Sequence, residues 1–178
     1  PDLEARLHAK GQTPAGTHIP ILVEEVIETL APRSGEVVAD CTVGYGGHAL
    51  QFMRRIGATG RLVGFDVDED ELAKTQLRLK QEPTPVSLHG SNFAGIAKVL
   101  GAEQLLGYDI IFADLGVSSM QIDNPQGGIS YRHDGPLDMR LDGRLQRTAA
   151  DLLAMLSQRE LAAALLDLAD EPDGDEIA

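Results

Sequence analysis

Apolar residues alternate along this chain between a helical period and short unbroken runs. Ile21, Leu22, Val26, Ile27 and Leu30 fall near a 3.6-residue period, and Pro20 suits a first helical turn. A helix is therefore predicted over 20–30, ended by Pro32 and Gly35. The run Val37-Val38-Ala39 follows, closed by Asp40 and Cys41, then a glycine cluster, Gly44-Tyr45-Gly46-Gly47, and a helix over 49–56. Residues 61–66 read as a second buried strand ending in a carboxylate, and 68–79 as a helix. A weaker strand, Val86-Ser87-Leu88, leads through His89-Gly90-Ser91-Asn92-Phe93 to a helix over 95–100, and residues 109–114 form the fourth strand. Four strand–helix alternations with short connections predict a parallel, doubly wound α/β sheet.

After Asp114 the texture changes. Residues 115–147 are rich in Gly, Pro, Asp and Arg without a sustained period, and a loop that long tends to be functional. Thr148-x-x-Asp151 and Ser157-x-x-Glu160 are capping-box patterns, each before an apolar run, so two helices are predicted there. At the other end, the first sixteen residues are polar and broken by Gly11, Pro14 and Gly16, which reads as a mobile lead-in.

Charge narrows the partners. The 178 residues carry a formal net charge of −13, with six acids and no base among residues 167–176. Such a chain is a poor non-specific nucleic-acid binder, although a local basic patch can still hold an RNA. Four Phe, three Tyr and no Trp leave few stacking platforms. No apolar run reaches the ~18–20 residues of a membrane span. The single cysteine, Cys41, forms no internal disulfide and fits a cytoplasmic location.

The glycine cluster is the first candidate for chemistry. Gly44-x-Gly46-x-x-Ala49 fits the fingerprint of a loop that brings backbone close to an adenosyl ligand. Asp66 closes the second strand, where a carboxylate accepts hydrogen bonds from ribose hydroxyls. Phe93 follows the third strand and could lie against an adenine or belong to the core. Asp114 ends the fourth strand at the sheet's carboxyl edge, beside the polar stretch Gly116 to Gln121. An acid after the fourth strand suits a ligand bearing a sulfonium and an ammonium better than a hydride carrier. His48, His89 and His133 lack partners at ligand spacings, so no metal site is predicted.

Five stretches in order carry a resemblance: His18-Ile19-Pro20-Ile21-Leu22, Gly44-Tyr45-Gly46-Gly47-His48, Gly90-Ser91-Asn92-Phe93, Asp114 through Gln121, and Asp134-Gly135-Pro136-Leu137-Asp138-Met139-Arg140. Together they resemble the bacterial methyltransferase H family, which methylates the N4 of a cytidine in 16S rRNA. The resemblance implies a Rossmann-like class I S-adenosylmethionine-dependent methyltransferase, with about four strands of a partial parallel sheet present. The implied division is a lead-in over 1–17, a cofactor-binding α/β domain over 18–147 and the start of a helical inserted domain over 148–178. It places cofactor contacts on Gly46, Gly47, His48, Asp66, Phe93, Asp114 and Gln121, although His48 by itself could equally face solvent from a helix N-terminus. Asp114 is also the candidate catalytic residue, orienting the cytosine amine.

The implied partner is 16S rRNA in the small ribosomal subunit, and oligomeric state stays open, a homodimer being one option. Arg132, His133 and Arg140 are the candidate RNA contacts, against the alternative that interleaved Asp134, Asp138 and Asp142 pair with the loop's own cations. Tyr45, Ala49, Val67 and Gly127 depart from the family's usual residues. Family members also continue well beyond this length, so the chain is expected to be a fragment or a shortened relative. The rival readings are a small-molecule methyltransferase, an NAD-dependent dehydrogenase on a similar fold, and an inactive fragment.

Overall fold

The structure is a computed structural model that describes residues 20–117 and 119–178, with only the backbone described at Ser119 and Met120. The expected lead-in, His18, Ile19 and Ser118 lie outside the described residues. Two compact units divide the chain, the first ending at Leu115 and the second beginning at Gly116.

The first unit alternates helix and strand. Its elements are α1 (Val23–Leu30), β1 (Val37–Asp40), α2 (Gly47–Ile56), β2 (Arg61–Asp66), α3 (Glu69–Leu79), β3 (Val86–Gly90), a 3-10 turn (Phe93–Gly95), α4 (Ile96–Ala102) and β4 (Ile110–Phe112). The four strands form one sheet in the order β3-β2-β1-β4, with every pairing parallel. This is the α/β, Rossmann-like arrangement expected from the sequence.

Apolar runs with no polar alternation form β1 and β2 because both faces of the sheet are covered there, whereas Ile111 of β4 is exposed. Val38, Leu62 and Ile110 face one way and pack with Ile27 of α1, Ala49, Phe52, Met53 and Ile56 of α2, and Leu72 and Leu79 of α3. Their neighbours Ala39, Val63 and Phe65 face the other way, where Ile96 and Val99 of α4 meet them with Leu105 and Tyr108. The sharp side alternation follows from the two-residue period of a strand.

Several element ends differ from expectation. Helix α2 starts two residues early, at Gly47, directly on the glycine cluster. Strand β4 stops at Phe112, so Asp114 lies two residues beyond the strand rather than at its end. Among the described residues its strand partner is β1, which ends at Asp40 opposite Phe112. The main chain of Asp114 turns instead to Thr42, donating its amide to Oγ1 at 2.8 Å.

In the second unit the long loop holds a short helix, α5 (Ser119–Ile122), and a 3-10 turn (Pro125–Gly127), followed by α6 (Ala149–Met155), α7 (Gln158–Ala169) and α8 (Gly174–Ile177). Both capping boxes form as the sequence predicts. The Thr148 and Ser157 hydroxyls accept the amides of Asp151 and Glu160, whose carboxylates bond back to the cap residues' own amides. The loop before α6 is tied down by its main chain: Met139 donates to Gly127 O, while Ala149 and Ala150 donate to the carbonyls of Asp138 and Leu137.

Candidate functional site

At β1 the chain's connections part, running to β2 and β3 on one side and returning to β4 on the other. The carboxyl ends of strands at such a point form a crevice where open α/β sheets take ligands. Here the main chain leaving β1 threads between its neighbours. Cys41 donates its amide to Phe112 O at 2.8 Å, and Val43 donates to Phe65 O at 3.0 Å. The glycine loop then turns back on itself, with the Gly46 amide on Val43 O at 2.7 Å.

Gly46 carries φ +84°, a conformation that favours glycine, and an added Cβ would stand 2.8 Å from Thr75 Cγ2 of α3. Gly47 has a different reason to lack a side chain. A Cβ there would meet the ring of Pro20 at 2.7 Å, so this glycine lets the segment before α1 close over the start of α2.

Asp66 sits at the end of β2 with both oxygens engaged. Oδ2 accepts the Gly44 amide at 2.8 Å, and Oδ1 accepts the Asp68 amide at 3.1 Å. Each carboxylate oxygen keeps a further lone pair, so the group can still receive a ribose hydroxyl. Phe93 is 40% exposed and belongs to neither core cluster, which removes the core alternative and leaves its ring available. Asn92 fixes the turn beneath it, accepting the Ala94 amide on Oδ1 at 2.8 Å.

His48 is buried, not solvent-facing. Its Nε2 lies 3.0 Å from the Ile21 carbonyl, so the nitrogen carries the proton and donates, and its ring lies 4.7 Å from that of Phe112. In this position it ties α2 to the segment entering α1. Asp114 is exposed. Gln121 falls on α5 in the second unit; Arg132 and His133 lie further along that unit, outside α5, and both are exposed. Arg140 is engaged within its own loop: Nε and a terminal nitrogen donate to the two oxygens of Asp138 at 2.6 and 2.7 Å, and the other terminal nitrogen donates to Leu145 O at 2.6 Å. Asp142 and Arg144 repeat the pairing.

One acid of the crevice was not singled out from the sequence. Asp40, last in β1, is 1% exposed, and Oδ1 accepts the Thr42 amide at 3.1 Å. Burial pushes its pKa up to about 7; the Thr42 amide opposes that rise, and the charges of Asp66 and Asp114 add to it. Burial first and Asp40 second also hold the neighbouring Cys41 thiol above its usual value. The only sequence signal was an acid closing the strand ahead of the glycine cluster.

Asp40 closes β1, Asp66 closes β2 and Asp114 follows β4, and the charges of the last two add to the rise at Asp40. An anionic ligand adds to that repulsion, whereas a cationic one relieves it. A ligand carrying a sulfonium and an ammonium suits this field. Among the described residues no group of three or more His, Cys, Asp or Glu could hold a metal ion, and no helix is long and apolar enough to cross a membrane.

Known proteins give the same direction. The MraW methylase family matches residues 15–178. Ribosomal RNA small subunit methyltransferase H 1 of Lachnoclostridium phytofermentans is 42% identical over 172 residues, 95% of this chain and 46% of that protein. Ribosomal RNA small subunit methyltransferase H 2 of Alkaliphilus metalliredigens is 41% identical over 180 residues, 99% of this chain and 51% of that protein. The chain therefore spans about half the length of the curated relatives it matches. With the match covering nearly its whole length, this chain belongs to the MraW methylase family, a family of S-adenosylmethionine-dependent methyltransferases.

Proposed function

We propose that this chain forms the S-adenosylmethionine-binding part of an enzyme that methylates the N4 of a cytidine in the decoding region of 16S rRNA. The carrying observation is the set Asp40, Asp66 and Asp114 around the glycine loop, a field suited to a cation. The names of its relatives supply the rRNA substrate class. A dehydrogenase reading needs only Asp66 and gains nothing from the other two acids. An rRNA substrate implies a cytoplasmic location.

The bound cofactor would supply an electrophilic methyl on its sulfonium. The chain's own residues do the rest by placement. Asp66 accepts the ribose hydroxyls, the Phe93 ring covers one face of the adenine, and the Gly46–His48 turn sets how closely backbone approaches. Asp40 offers negative charge beneath the cationic end. Asp114 accepts a hydrogen bond from the cytosine N4–H and orients its lone pair toward the methyl, which is the main requirement of an in-line displacement. Arg132 and His133 of the second unit meet RNA phosphates.

Calorimetric titration of S-adenosylmethionine into the 178-residue chain tests this, with NAD as the control. Selective binding of the first, followed by methyl transfer to small-subunit particles, is the expected result. Tighter binding of NAD would sink the reading. Binding without transfer would confine this chain to cofactor binding and leave the rest of the reaction to residues outside it.

A further inference from the structure

The glycine loop is held from behind by side chains that no motif in the sequence marks. Thr75 on α3 is fully buried, and its hydroxyl donates to Gly44 O at 2.6 Å. Arg78, one turn further on, donates to Tyr45 O, and the same nitrogen lies 3.1 Å from Thr75 Oγ1. The other terminal nitrogen of Arg78 bonds Glu71 Oε1 at 3.0 Å, and Lys74 meets the second oxygen of that buried carboxylate at 3.3 Å. The guanidinium also lies over the Tyr45 ring, 3.2 Å from its centroid.

We propose that Thr75 and Arg78 are positioning residues for the cofactor, fixing the peptide planes of Gly44 and Tyr45 and through them the Asp66 carboxylate. The proposal rests on S-adenosylmethionine as the ligand of this crevice. Its physical basis is a continuous line of hydrogen bonds. Glu71 orients Arg78, Arg78 and Thr75 hold the loop's carbonyls, and the amide of the same Gly44 is held by Asp66 Oδ2 at 2.8 Å. Gly44, held at both its N–H and its C=O, cannot turn without disturbing the acid that receives the ribose. Both branches of Thr75 are used, since its methyl fills the space that a Cβ on Gly46 would need. Val keeps that shape and loses the hydroxyl; Ser keeps the hydroxyl and loses the methyl.

Those two substitutions separate positioning from packing. Calorimetric affinity for S-adenosylmethionine is measured on the full chain, well below each variant's unfolding midpoint, with amide exchange across residues 43–48 as a second reading. Thr75→Val is expected to weaken binding about tenfold and to speed exchange in the loop, the loss of one buried hydrogen bond. Thr75→Ser is expected to bind within about threefold of the unaltered chain even where it unfolds earlier. Arg78→Gln, at a partly exposed site, is expected to weaken binding several-fold, and it decides the matter if Thr75→Val does not fold. Unchanged affinity in the folded Val and Gln variants overturns the positioning role and leaves the cofactor reading intact. An unaltered chain that fails to bind S-adenosylmethionine overturns the cofactor reading itself.

Discussion

The Asp66 carboxylate accepts the Gly44 amide at 2.8 Å, so the acid that closes β2 also holds the first glycine of the loop leaving β1. Ligand contact and loop support therefore reside in one side chain. Asp66→Ala removes two accepted hydrogen bonds, from Gly44 and Asp68, and is expected to lower stability by roughly 2 kcal/mol as well as to abolish cofactor binding. Asp66→Asn retains one acceptor oxygen and should lose less of both. Denaturant unfolding beside calorimetry checks this, and an Ala variant as stable as the parent would mean the loop does not depend on Asp66.

Asp40 gives the fold a pH dependence with a definite sign. Its pKa of about 7 in the folded chain lies above the ordinary 3.8, so between those values the folded state holds a proton that the unfolded state has lost. This contribution to stability is complete below about pH 4, declines as pH rises toward 7 and is gone above it, an effect of roughly 4 kcal/mol at most. Asp40→Asn should flatten that slope and unfold at higher denaturant than the parent at pH 8. A cationic ligand favours the ionised acid, so binding near neutral pH should release a proton, visible as a buffer-dependent binding enthalpy. Equal slopes in parent and variant would place the titration elsewhere.

Phe93 separates binding from folding. Its ring is 40% exposed and outside both core clusters, so Phe93→Ala should change stability by less than about 1 kcal/mol. A ring stacked on a base is worth roughly 1–3 kcal/mol, so cofactor affinity should fall about tenfold or more. Loss of stability with affinity retained would make the ring a packing element after all.

Legibility in the sequence follows the range of the interaction. The apolar run of β2 and both capping boxes are patterns of a few consecutive residues, and they stand where that local pattern puts them. Asp40 is different, because an acid closing a strand becomes a buried one only when β2 and β4 flank it, and β4 arrives seventy residues later. Thr75 and Arg78 meet a loop some thirty residues upstream, with only the helical period of α3 to place them. The early stop of β4 was equally hidden, since it depends on where β1 ends.

The cations of the long loop fall into two groups with opposite expected effects. Arg140 is spent internally, bidentate on Asp138 and bonded to Leu145 O, and that pairing holds the Asp138 carboxyl below its usual range. Arg140→Ala should free the segment that meets the start of α6, seen as faster amide exchange at Met139, Ala149 and Ala150, whose amides are bonded there. Arg132 and His133 are exposed. Arg132→Ala should leave exchange at those three amides unchanged, weaken RNA binding across sequences, and reduce the salt slope by about one unit. His133→Ala should weaken RNA binding to a lesser degree. RNA affinity measured against salt for the three variants, beside exchange data, tells the groups apart. An unchanged salt slope for Arg132→Ala would remove it from the RNA contacts, and unchanged exchange for Arg140→Ala would show that the main-chain bonds alone hold the loop.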